Sequence, residues 1–497
     1  MGIGLKRFAV ESDWRNETLR TNLWLIPAIE SVAAVLLFAV TLSIDQAAFH
    51  GEIRLPSWLI SGSPDAARQI LSSLAGSIIT VVGVVFSVMI VTLTLASTQF
   101  GPRMLRTFIR DRGTQVTLGT FVATFFYAML TLISIGGTFV PHLSVTVALA
   151  LTAVDLGVLI YFIHHVATAI QLPEVIASIA RDLTNAIGAE TGGVVGRPEL
   201  VNGPSLAVLQ ARLDRGGQVV TAPTSGYLRF VRNGTLMRIA AEYDAVIRLH
   251  YRPGHFLVAG HPMATVWPPE VADKIHRRLE NVHITGPLRT LTQDIAFGID
   301  QLVEIAIRAL SPAVNDTFTA MTCIDWLGDN LCKIAVEWHP DICHRDRGGQ
   351  IRLITAPVSY ERLVQRSFEK IRQAAGGMPA VLIRQLDALS KVMVIAPAGR
   401  TQVLVDQAVM IQRVNLRTVP EQADQDDITA RYDALLALHA QVARAQPDEN
   451  LSRPYLGLGH VDGALERLDV ARACVGGAAD RVDSGALRCQ GLALQLG

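Results

Sequence analysis

SSLAGSIITVVGVVFSVMIVTLTLAST, residues 72–98, decides how the chain is read. It carries no charge over its whole length, as a helix crossing the apolar interior of a bilayer requires. Wound at roughly 100° per residue, Ser72, Ser73, Gly76, Ser77, Thr80, Gly83, Ser87, Thr94, Ser97 and Thr98 share one arc of roughly 160°. Val82, Phe86, Met89 and Leu93 lie opposite, and only Thr92 breaks the pattern. Such a seam faces protein or water rather than lipid. It is therefore a helix-packing interface or the wall of a pathway, with Ser73, Ser77, Thr80, Gly83, Ser87, Thr94 and Thr98 as its residues.

Three further runs are long enough to cross: Trp24–Ile44, Val116–Val140 and Leu143–Val166, the last two separated by the turn Pro141-His142. Glu11, Asp13 and Glu17 precede the first run and no small-residue cleavage site follows it, so it reads as an anchor rather than a secretory signal. Lys6, Arg7, Arg15 and Arg20 lie before the first span and Arg103, Arg106, Arg110 and Arg112 after the second, whereas Pro141-His142 has no Lys or Arg. Both basic segments then belong in the cytoplasm, and with four spans so does everything after the fourth. There Cys323, Cys332, Cys343, Cys474 and Cys489 stay reduced.

Composition agrees. The chain is 50% hydrophobic and only 18% charged, against roughly 25% charged in an average soluble domain, and its mean hydropathy is +0.33. Its 44 basic and 44 acidic residues cancel, so no global charge recommends nucleic acid as a partner.

After the fourth span the text becomes that of a soluble protein. A helical linker over 171–217 leads to a β-patterned block at 218–268, a helical region at 269–446, and a Gly-, Ala- and Arg-rich tail at 447–497 without clear period, expected to be partly disordered. The block reads TAPTSGYLRFV (221–231) and AAEYDAVIRLHYRPGHFLVAGHPMATVW (240–267). With its Ser-Gly opening turn and Pro-Gly-x-Phe-x-x-x-Gly-x-Pro close, it resembles the barrel-sandwich hammerhead of biotinyl and lipoyl carriers and transporter accessory domains. It contains no lysine, so the carrier's attachment point is missing and the block reads as scaffold. In the helical region, Ser311-Pro312 is a helix-start signal and Asp316 is placed to cap the helix after it.

VVFSVMIVTLTLASTQFGPRMLRTFIRDR (84–112) and RTLTQDIAFGIDQLVEIAIRALSPAVNDTFTA (289–320), taken with the β block, resemble the bacterial membrane-protein family catalogued as domain of unknown function 2254. The resemblance covers roughly residues 10–440. SPAVNDTFTA (311–320) is its most specific part, with Thr317 standing where proline is expected. It implies the architecture and supplies no catalytic or binding residues; the location expected from the spans is the bacterial inner membrane.

The chemical inventory is thin. There is no GxxxxGK[ST], HExxH, GxSxG or CxxC, so the chain is read as no enzyme and as holding no cofactor or metal. Cys332, His339, Asp341, Cys343 and His344 have metal-ligand types at irregular spacing, more in keeping with plain thiols. Asp155 sits mid-span, where an acid must be neutralised, paired or wetted; it is glue to hydroxyls such as those of the Ser77–Ser87 seam, or part of an ion or proton pathway. Glu30, near a span end beside Pro27, can snorkel. Arg103, Arg106 and Arg110 share a helix face suited to lipid phosphates, or to ringing the mouth of an oligomeric pathway. Gln293, Asp294, Gln301, Glu304 and Arg308, with Asn315 and Asp316 beyond, form a cytoplasmic polar face, either a binding surface or a solvated one.

The reading is thus four transmembrane helices followed by a cytoplasmic α+β part with a small β barrel-sandwich and a helical domain. The expected function is an oligomeric ion channel or permease-like pathway. The competing expectation is a membrane-anchored binding or signalling scaffold. The partners expected are the lipid bilayer and further copies of the chain.

Overall fold

A computed structural model describes residues 24–53, 56, 59, 62–100, 111–137, 139–169, 171–191, 202–279 and 282–445, the side chains of 96–100 and 445 excepted. It divides into two compact units, residues 1–175 and 176–497.

Among the described residues, four helices of the first unit are long and apolar enough to cross a membrane: α1 (Leu25–Phe49), α2 (Pro64–Phe100), α3 (Arg112–Ser134) and α4 (His142–Ala169). The third was expected to reach Val140 but ends at Ser134, where Ile135 leaves the helix and Gly136-Gly137 follows. The second begins earlier than expected, its first turn anchored by Arg68, which donates to the carbonyls of Ile135 and Gly136. At about 1.5 Å per residue it is roughly 55 Å long, well beyond the hydrocarbon thickness. Helix α3 is the hub, packed on α1, α2 and α4. One apolar cluster joins Leu71, Tyr127, Ala128, Val145 and Ala148, and another joins Ile78, Val82, Val85, Phe121 and Phe162.

Helix α5 (Leu172–Thr191) carries the division between the units. In the second unit follow α6 (Leu206–Gly216), β1 (Gln218–Thr221), β2 (Gly226–Val231), α7 (Asn233–Glu242), β3 (Val246–Leu249), β4 (Phe256–Leu257), β5 (Pro262–Trp267), α8 (Ala272–Leu279) and β6 (His283–Gly286). Next come α9 (Ile295–Ala309), α10 (Thr317–Glu337), β7 (Cys343–Arg345), β8 (Ile351–Ile354), α11 (Tyr360–Ala374), α12 (Pro379–Ile395), α13 (Gln402–Thr418) and α14 (Gln422–Ala445).

The β block differs from a closed barrel-sandwich. Its strands form two open sheets, β1-β5-β3-β8-β7 and β4-β2-β6, with helix α7 between β2 and β3. Strands from outside 218–268 complete both: β8 joins β3 in parallel and β6 joins β2. Alternation within 218–268 signals the inward residues, such as Leu228, Ile247, Leu249 and Val266. It carries no information about which later segments extend the edges.

Helix α9 is the hub of the helical part and packs on α10 and α11; α10 packs on α12, and α12 on α14. Gly298 lets it approach α5, since a Cβ there would lie 3.0 Å from Leu183 Cδ1. Ser311-Pro312 starts no helix. It lies in the α9–α10 turn, where Asn315 takes a positive φ of 51° and Asp316 caps α10 by accepting from Thr319 N at 3.0 Å. The cap, not the proline, sets the start.

Candidate functional site

The polar seam of α2 lies on the surface of the first unit. Ser73, Ser77, Thr80, Gly83, Ser87 and Thr94 are all exposed, while Ile78, Val82 and Val85 on the other side are buried against the bundle. The seam is therefore not packed on the fourth span. Its hydroxyls are satisfied locally: Ser77, Thr80, Ser87 and Thr94 donate to the carbonyls of Ser73, Gly76, Gly83 and Ile90 at 2.8–2.9 Å. At Gly76 and Gly83 an added Cβ would meet nothing within 4 Å. Among the described residues the face stands exposed, and it also carries the exposed side chains of Ile79, Val84, Ile90, Val91 and Leu95. The side chain of Thr98 and all of Arg103, Arg106 and Arg110 lie outside the described residues.

A second hydroxyl file runs inside the bundle, and the sequence reading missed it. Thr117, Thr120, Thr124, Tyr127 and Thr131 of α3 fall within roughly 80° of one another, and all but the partly covered Thr120 are buried. Their spacing was the available signal, hidden because this span, unlike the second, sets its hydroxyls among Phe121, Phe125 and Leu132 rather than among glycines.

The acids of the spans converge on this file. Asp155, 3% exposed, accepts from Thr124 Oγ1 at 3.1 Å; its partner is thus on the third span and not on the Ser77–Ser87 seam. Its other oxygen makes no hydrogen bond. Asp45, unremarked in the sequence, takes the backbone N–H groups of Leu143 and Ser144 at 2.8 and 2.9 Å and so caps the fourth span. Ser144 Oγ lies 2.7 Å from Asp45 Oδ2 and 3.1 Å from Thr41 Oγ1, which in turn lies 2.8 Å from Tyr127 Oη. Asp45, Ser144, Thr41 and Tyr127 thus form one buried network across three spans. Glu30 turns inward instead of snorkelling, so close to Gly119 that a Cβ there would lie 2.9 Å from its carboxyl carbon. At the start of α3, Asp111 accepts from Thr114 N at 2.8 Å and meets His165 Nε2 at 2.8 Å.

In the second unit the expected polar face is not a solvated one. Asp294 and Gln301 are buried, Glu304 and Arg308 partly covered, and only Asn315 and neighbouring turn residues stand exposed. Gln293 works as a clamp: its amide accepts from Val231 N at 2.9 Å and donates to Val231 O at 3.3 Å, tying the turn before α9 to strand β2. Asp294 belongs to an ionic chain. Arg289 bridges Asp294 and Asp300 at 2.7 and 2.6 Å, and Arg366 of α11 grips Asp300 with two nitrogens. Burial pushes the Asp294 carboxyl up while Arg289 opposes it. Arg289, Asp300 and Arg366 were not singled out in the sequence, because ordinary helix-surface spacing gives no sign that residues 66 apart meet.

The five possible metal-ligand types do not assemble; among the described residues no group of three or more His, Cys, Asp or Glu is placed to hold an ion. Burial, helped by Asp329, pushes the Cys332 thiol up to about 11, which keeps it protonated and a poor ligand. His344 instead lies 3.3 Å from Thr355 Oγ1.

Comparison with known proteins fits this architecture. The model of a family described as predicted membrane protein, domain of unknown function 2254, matches residues 20–391, and the chain belongs to that family. It is 32% identical over 382 residues to uncharacterized proteins of Mycobacterium bovis and Mycobacterium tuberculosis, covering 74% of this chain and 71% of each relative. No solved structure matches.

Proposed function

We propose that this member of the family is an oligomeric ion pathway of the bacterial inner membrane, with both termini cytoplasmic and the second unit acting as an assembly or gating module. One observation carries the reading: a line of hydroxyls and glycines on α2, from Ser73 to Thr94, that stands exposed among the described residues. Copies assembled around α2 bring these seams to a common axis, where hydroxyls facing water favour a wetted path. In this reading Arg103, Arg106 and Arg110 ring its cytoplasmic mouth and attract anions, and the chain acts without cofactor or enzymatic step.

The same seam supports a second reading, a membrane-anchored scaffold whose copies merely pack through small residues. Reconstitution separates the two. Wild-type protein in liposomes should pass ions, and Ser87→Leu should cut the flux while the oligomer persists, because an apolar ring resists wetting. Absence of flux above empty liposomes across pH and ion type, with an intact oligomer, rejects the pathway in favour of the scaffold. Orientation is tested by single cysteines: one in the Pro141-His142 turn should react with an impermeant thiol reagent from outside, and one at Gln171 should not.

A further inference from the structure

Strands β3 and β8 run parallel, with Ile247 beside Leu353 and Arg248 beside Ile354. Past their carboxyl ends the chain takes two directions: β3 leads to β4 in the other sheet, and β8 leads to helix α11. Parallel neighbours that part in this way leave a crevice beyond their ends, where ligands of open sheets commonly sit. Here it is a cavity of about 620 Å³, within the size range of small-molecule sites. Leu249 and Ile354 from the two strands, with Ile342 and Val358, give it apolar walls, and Gln210 of α6 also lines it.

The walls are held by the chain itself. Thr355 N donates to Ile342 O at 2.9 Å and Thr355 Oγ1 to Asp341 O at 3.1 Å, tying the loop after β8 to the segment before β7. Trp338 Nε1 donates to Val358 O at 2.9 Å, and Ser359 caps α11 by accepting from Arg362 N at 3.2 Å. Arg248 is the formally charged side chain of the lining; among the described residues no Asp, Glu or Lys lines the cavity. Its Nη1 meets Asp214 at 2.6 Å, but the Asp214 side chain is 62% exposed, and solvent weakens such a pair. Its Nε is withdrawn from water and has no acceptor among the described residues, so the guanidinium keeps unmet hydrogen-bonding capacity. His250 adds no charge: Nε2 meets Thr265 Oγ1 at 2.8 Å, and burial, then Arg248, holds its pKa below the usual imidazole range, which leaves it neutral at neutral pH.

We propose that this cavity binds a small carboxylate with an apolar body, the carboxylate on Arg248 and the body against Leu249, Ile342, Ile354 and Val358. A guanidinium presents its N–H donors in a fork that matches a carboxylate, and Asp214 takes Nη1 alone. Charge decides the class of ligand. One guanidinium, already shared with Asp214, balances a monoanion, whereas a phosphate dianion would keep an uncompensated charge among apolar walls. A cation would face Arg248 with no acid in the lining to hold it. The site lies within the second unit and does not depend on the pathway reading.

The test is calorimetric titration of the full-length protein in detergent with hexanoate at neutral pH, beside hexanamide, which keeps the body and lacks the charge, and inorganic phosphate, which has the charge and lacks the body. Saturable hexanoate binding is expected, at least about tenfold weaker in Arg248→Gln, with Arg248→Lys between the two. Ala356→Phe should also weaken it by filling the cavity from an exposed lining position, where a folding defect is not expected. Arg277→Gln, on the exposed face of α8 and away from the lining, should bind as wild type. Thermal midpoints of all variants check folding. No saturable binding at millimolar hexanoate overturns the proposal, as does wild-type affinity in a folded Arg248→Gln or in a folded Ala356→Phe. Hexanamide binding as tightly as hexanoate, or phosphate displacing it at equal concentration, overturns the assignment to an apolar carboxylate.

Discussion

The second and third spans carry the same kind of residue and put it to opposite uses. On α2 the hydroxyls face outward, and Ser77, Thr80, Ser87 and Thr94 each bond a carbonyl of their own helix. On α3 they face inward, and Thr124 and Tyr127 reach the fourth and first spans. The difference lies with the neighbours. Asp155 and Asp45 need donors inside the bundle, since an unpaired acid in lipid is costly. The α3 face supplies Thr124 to one, and Tyr127, through Thr41 and Ser144, reaches the other. A hydroxyl already satisfied by its own backbone can be left outside; one that another group requires cannot.

Substitutions at four positions test this contrast by reversible unfolding in mixed micelles. Tyr127→Ala should cost most, about 3–5 kcal/mol, because it empties a fully buried site and breaks the Thr41 bond; a cost comparable to that of an α2 seam variant would erase the distinction between the two files. Asp45→Ala removes the cap of the fourth span and leaves the backbone N–H of Ser144 without its acceptor, at about 1–3 kcal/mol, with recovery in Asp45→Asn limited to part of that loss. Thr124→Val keeps shape and deletes the donor to Asp155, for about 0.6 to 1.7 kcal/mol. Equal stability to wild type would mean that Asp155 draws nothing from the third span. Ser87→Ala should be the mildest, within about 0.5 kcal/mol, since only a bond within one turn is lost. A larger loss confined to the oligomer would locate the seam at a subunit contact rather than on a wetted path.

Much of the fold was legible. Four long apolar runs announced the spans and the Asp316 cap announced α10, because each of these signals is carried by residues within a few turns of one another. Their ends were less so: the first span runs five residues past Ile44, and that extension brings in Asp45. The site was read only in outline. The α2 seam was visible as a stripe, but the partner of Asp155 was sought on it when the matching hydroxyl sits on α3. Asp294 was noted on a helix face, yet its role follows from Arg289 and the Arg366–Asp300 contact.

The sequence by itself determined the membrane spans, the periodic faces of the helices and the inward residues of the strands. All of these follow from how a single helix or strand meets apolar surroundings, which local spacing records. Only the tertiary structure decided which hydroxyl stripe turns inside, that β6 and β8 extend the sheets of the β block, and that Arg289 and Arg366 meet at Asp294 and Asp300. Those outcomes depend on pairings between segments distant in the chain, where desolvation of a charge is balanced by a partner that no local pattern identifies.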